Sequence, residues 1–154
     1  MSTIKHHSLT CYFNDSFTTC AADSGVDVDP NTTVYVIDML CRYAHDAPKF
    51  DTALGISLRR SLDLPLHEKL PKLQSVGDHA LYMSGYMRPY IEKNDISPSY
   101  LMQLGQEAYA RFAQITKAAN PKTAASDLFD RLSRGFSGLS DVLSTMAMTV
   151  VIDQ

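Results

Sequence analysis

The chain has 154 residues, 45% of them apolar and 20% charged, with a formal net charge of -3. That length suits one domain with a core of its own, and the composition excludes a chain disordered throughout, a collagen-like repeat or a coiled coil. Lysines and arginines are scattered rather than clustered, so there is no footprint for a phosphate backbone and nucleic acid is not expected as a partner.

Residues 1–30 are rich in Ser, Thr, Asp and Asn and show no obvious helical period. They read as an irregular N-terminal arm, partly flexible. Leu9 to Phe13 and Ser16 to Cys20 flank Asn14-Asp15 and could pair as a short hairpin. His6-His7 in such an arm reads as a solvated pair rather than a metal site.

Asp29-Pro30-Asn31-Thr32 opens the helical domain, residues 31–147, because proline suits a first helical turn and Asp, Asn or Thr can accept from its free N–H groups. Thr33, Val36, Ile37, Leu40, Cys41 and Ala44 then recur at the spacing of one buried stripe. Asp38 and Arg42 form a surface pair, and Pro48 ends the element. A shorter helix from about Asp51 to Leu62 carries Leu54, Leu58 and Leu62 on one side, weakened by Gly55.

A third helix starts near Leu66, or near Lys69 if Pro71 lies in its first turn. Its face runs through Leu73, Val76, Gly77, Ala80, Leu81 and Ser84 as far as Pro89. Burying its large side chains at ~1.5–3 kcal/mol each gains less than ordering the helix costs at ~1–2 kcal/mol per residue, so it must pack along most of its length. Ser97-Pro98 caps a fourth helix with Leu101, Leu104, Gly105, Ala108, Tyr109, Phe112 and Ile115 on its apolar face. Asn120-Pro121 repeats the signal for a fifth, which Gly135 and Gly138 could bend. Residues 148–154 form a C-terminal tail, either continuing that helix or extended. The fold class is therefore all-α, a bundle of about five helices.

The third and fourth helices are expected against each other. The small residues Gly77, Ala80, Ser84, Gly85, Gly105 and Ala108 mark the close approach. Asp78, His79, Tyr82 and Tyr109 stand beside them as a ligand-binding pocket or a buried polar network. Asp78 and His79 are adjacent, about 100° apart on a helix, and cannot form an acid–base dyad alone. If Asp78 points inward it must meet a donor, for which Tyr82, Tyr109 and Arg111 are candidates. Tyr82, Tyr86 and Tyr90 recur every four residues along one flank; Tyr86 and Tyr90 are read as an interface, the alternative being that the row seals the domain's own edge.

No phosphate-cradling loop, zinc-binding His-Glu helix or nucleophile elbow is present. His45, His67 and His79 have no His, Asp or Glu at helical spacing for a metal, and no metal, cofactor or catalytic residue is expected. Cys11, Cys20 and Cys41 are an odd set without metal-like spacing, expected as free thiols with Cys41 in the core. The absence of a membrane-length apolar stretch and of a secretory apolar segment points to a cytoplasmic protein that does not enter the membrane.

The run Gly77-Asp78-His79-Ala80-Leu81-Tyr82-Met83-Ser84-Gly85, together with Val36 to Leu40, Pro65-Leu66, Tyr100, Gly105, Ala108-Tyr109, Leu128-Phe129 and Asp141 to Leu143, resembles a widespread family of small bacterial all-helical proteins. Its most specific piece is the Gly-Asp-x-Ala-Leu-Tyr-x-Ser-Gly motif. The resemblance implies a helical fold and a bacterial origin and carries no mechanism. The chain departs from the family at Ser97-Pro98-Ser99, where an acidic stretch usually precedes the tyrosine, and in ending soon after Met146. Two functions are then in view. One is a helical interaction protein, self-associating as a homodimer or binding another protein. The other is a small-molecule binding protein or enzyme with a polar pocket around Asp78, Tyr82 and Tyr109.

Overall fold

The computed structural model describes residues 2–46 and 53–153. Among these the chain forms eight helices and no strand: α1 (Ser2–Ser24), α2 (Pro30–His45), α3 (Leu54–Ser61), α4 (Leu66–Ser84), α5 (Arg88–Lys93), α6 (Pro98–Ala119), α7 (Ala124–Arg134) and α8 (Phe136–Asp153). The chain is all-helical, with more and shorter helices than five. Pro48 and Asp51, read as the end of one helix and the start of the next, lie outside the described residues, as do the side chains of His6 and His7.

α1 replaces the expected irregular arm or hairpin. Leu9, Phe13, Phe17, Cys20 and Ala21 follow helical spacing, and the last four are buried. The Ser, Thr, Asn and Asp positions each cost a few tenths to ~0.7 kcal/mol of helix propensity. Two buried phenylalanines return ~1.5–3 kcal/mol each, enough to outweigh much of that deficit. α1 lies on α2 and α8. Asn14 and Asp15, the turn of the expected hairpin, face solvent from this helix.

The expected caps account for two helix starts. Asp29 Oδ2 accepts from the Thr32 amide at 3.2 Å at the head of α2, and Ser97 Oγ accepts from the Tyr100 amide at 3.3 Å at the head of α6. The fifth helix differs. Asn120 closes α6 and bonds the Lys122 amide through its own side chain, so Thr123 rather than Asn120 caps α7. Gly135 then separates α7 from α8 outright, and α8 continues through the segment read as a tail. α4 tolerates Pro71 within its length but ends at Ser84, before Pro89, which falls in the first turn of α5.

α4 and α6 make the most extensive helix pairing, followed by α6 with α7. A Cβ placed on Gly77 would run into the ring of Tyr109, and one on Gly105 would meet Phe136 and come within 3.0 Å of the Ala80 Cβ. Ala108 is fully buried in the same seam. Ser84 and Gly85 serve a different contact, with α8 rather than α6. Ser84 Oγ lies 3.0 Å from Ser140 Oγ, and a Cβ on Gly85 would sit 2.8 Å from that of Leu143. Arg88 seals this junction: its Nε donates to the Ser84 carbonyl at 2.8 Å, Nη2 to Ser140 Oγ at 2.9 Å, and Nη1 pairs with Asp141 at 3.1 Å.

Candidate functional site

α2 carries Tyr35 and Arg42 seven residues apart, two turns and therefore one face. α4 carries Gln74 and Asp78 four apart, again one face, and α6 supplies Tyr109. These five side chains converge. The Tyr109 hydroxyl donates to Asp78 Oδ1 at 2.6 Å, and the Tyr35 hydroxyl donates to the same oxygen at 2.6 Å. Gln74 Nε2 donates to the Tyr35 hydroxyl at 3.1 Å. Arg42 Nη2 reaches Asp78 Oδ2 at 3.4 Å, while its Nε holds Asp38 at 3.2 Å.

Asp78 is only 2% exposed, and its environment explains why it can be there. Two hydroxyl donors fill the two lone-pair directions of Oδ1, and a guanidinium stands at Oδ2. Phe129 of α7 lies edge-on to both tyrosine rings, with centroids 5.4 Å from Tyr35 and 5.5 Å from Tyr109, and so shields the bonds from water. Burial pushes the Asp78 carboxyl above its usual range, a shift that the Tyr109 and Tyr35 bonds and then Arg42 only partly oppose. Burial and then the adjacent carboxylate push both tyrosine hydroxyls up as well. They remain protonated donors at neutral pH, unsuited to act as bases or nucleophiles.

Of the residues singled out in the sequence, Asp78 and Tyr109 meet, over Gly77. Tyr82 does not bond Asp78; its ring stacks on Tyr86 at 5.8 Å and meets Tyr43 edge-on at 5.0 Å. His79 is half-buried and is not among the carboxylate's hydrogen-bond partners. Arg111 pairs with Glu107 instead. Tyr35, Arg42 and Gln74 were not anticipated. The signal for them was the shared face of Tyr35 and Arg42, hidden because Arg42 also satisfies the helical pairing with Asp38.

A second feature crosses the helices outside this cluster. Tyr12 and Phe13 of α1, Tyr86 in the turn after α4, Tyr82 of α4 and Tyr43 of α2 follow one another at ring separations of 5.5, 6.2, 5.8 and 5.0 Å. The Arg42 guanidinium lies 5.9 Å from the Tyr43 ring and ends the row. Phe13 is buried, Tyr43, Tyr82 and Tyr86 are half-buried, and Tyr12 is exposed. Tyr86 is thus partly covered by its own chain, and Tyr90 stands exposed on α5.

Among the described residues no group of three or more His, Cys, Asp or Glu is placed to hold a metal ion, and no helix is long and apolar enough to cross a membrane. Cys20 and Cys41 are buried and Cys11 exposed, all three as thiols rather than disulfides. Fold and site together define an all-helical domain with a polar cluster around the buried Asp78 carboxylate and a row of mostly half-buried aromatic rings that crosses its helices. Comparison of the chain with protein-family models, with curated proteins and with solved structures finds no match.

Proposed function

We propose that this chain is a helical interaction protein that self-associates as a homodimer, its contact face being the aromatic row from Tyr12 to Tyr43. The observation that supports this most is that row itself. Three half-buried tyrosines and one exposed tyrosine offer large rigid area with polar tips, the composition enriched at protein interfaces. Arg42 at its end adds the other residue type favoured there. A two-fold contact would set the row of one copy against that of another, the self-complementary arrangement of most homodimers.

The competing reading, a small-molecule site or enzyme around Asp78, Tyr82 and Tyr109, receives less support. It needs a carboxylate open to a ligand, and the oxygens of Asp78 are engaged by Tyr35, Tyr109 and Arg42. Light scattering over a dilution series tests the proposal. The expected result is a dimer mass that Tyr12→Glu converts to monomer, because two carboxylates would then face each other across the axis. A monomer mass at every concentration would overturn it.

A further inference from the structure

We propose that the groove between α3 and α6 binds a medium-chain alkyl carboxylate. The proposal stands apart from the aromatic row and does not depend on self-association. The groove is open along one side and offers about 600 Å³, within the ~300–1,000 Å³ range of small-molecule sites. Ile56 of α3, Leu62 just past its end and Tyr100 of α6 line it and are 56%, 37% and 51% exposed, so these side chains are left uncovered by the rest of the chain. Leu104 supplies the far wall.

Gly55 makes room for this arrangement. A Cβ there would come within 2.6 Å of the Tyr100 hydroxyl, although an interior glycine weakens so short a helix. α3 has eight residues, about 12 Å at ~1.5 Å each. That length suits an alkyl chain and is too short to seat a long partner helix.

The charge of the groove selects the head group. Arg42, Arg88, Arg111, Arg131 and Arg134 each pair with a carboxylate. Among the described residues Arg59 and its neighbour Arg60 form no such pair, and Arg59 lines the groove. The one carboxylate on the wall, Glu107, is engaged by Arg111 Nε and Nη2 at 3.1 and 2.9 Å. A trough walled about equally by apolar and polar surface is thereby left with a single uncompensated guanidinium, whose planar fork matches a carboxylate.

Calorimetric titration of the full chain with decanoate, acetate and decyltrimethylammonium tests this. Decanoate is expected to bind saturably at one site, acetate not to bind, and decyltrimethylammonium to bind more weakly than decanoate. Arg59→Glu, at an exposed position, should weaken decanoate binding about threefold or more, and Ile56→Asp should abolish it, with circular dichroism confirming that both variants fold. Absence of saturable decanoate binding, equal affinity for the cationic amphiphile, or an unchanged affinity in folded Arg59→Glu would each overturn the assignment. A monomeric protein that still bound decanoate would overturn only the self-association.

Discussion

Gly77 of α4 lies under the ring of Tyr109 of α6, and the hydroxyl of that ring bonds Asp78, the next residue along. The missing side chain and the buried carboxylate are parts of one contact. Without a Cβ at 77, the tyrosine lies close enough to α4 for its tip to reach the acid. Gly77→Ala would gain the ~1 kcal/mol helix preference of alanine but overpack a fully buried ring, which costs ~1–3 kcal/mol. Because Tyr109 is also held at its hydroxyl, the clash is expected to win and lower Tm, by about 2–4 °C per kcal/mol. Gly105→Ala, against Phe136 and Ala80, should do the same. Gly55→Ala meets only the tip of the exposed Tyr100 and should leave Tm unchanged or raise it. Thermal unfolding followed by circular dichroism separates the three.

Two aspartates should move stability with pH in opposite directions. The Asp78 carboxyl is raised in the folded protein, chiefly by burial. The native state therefore holds that proton more tightly than the unfolded chain, and the associated stability is full below the unfolded pKa and lost as pH rises through the folded one. Asp29 is lowered, first by its bond from Thr32 and also by Arg131; its contribution is present above the unfolded pKa and lost as pH falls through the folded one. On acidification from neutral, the native protein should gain stability relative to Asp78→Asn and lose it relative to Asp29→Asn. Urea unfolding of the three proteins across that pH range checks both signs.

At the α4–α8 junction, Arg88→Met should destabilise by about 1–3 kcal/mol, since it withdraws donors from the Ser84 carbonyl and Ser140 hydroxyl while both serines are buried. The loss should fall near the lower figure because the two serines retain each other. Ser140→Ala in the Arg88→Met background should then cost less than it does alone, a comparison open to the same denaturant measurements.

What could be read from the sequence was set by how locally each feature is encoded. The α4–α6 pairing was readable because Gly77, Ala80, Gly105 and Ala108 fall on apolar faces with helical spacing. α1 was not, because Leu9, Phe13 and Phe17 carry the helical period inside a composition that favours turns, and only packing on α2 and α8 decides between the two. Gly135 was seen as a bend, but whether a glycine bends a helix or divides it depends on what the following segment packs against. The Asp78 cluster was half visible. That a buried acid needs donors follows from its charge, and Tyr109 was a candidate; Tyr35 and Arg42 enter from α2, some forty residues earlier, through a helix placement that no local pattern encodes.

The central claim is that Asp78 and Tyr109 act together to lock α4 to α6 rather than to bind a ligand. A double-mutant cycle measures this directly, comparing the urea-unfolding free energies of the native protein, Asp78→Asn, Tyr109→Phe and the combined variant. A coupling of about 1–3 kcal/mol between the two positions is expected. Additivity within about 0.3–0.5 kcal/mol would contradict the account.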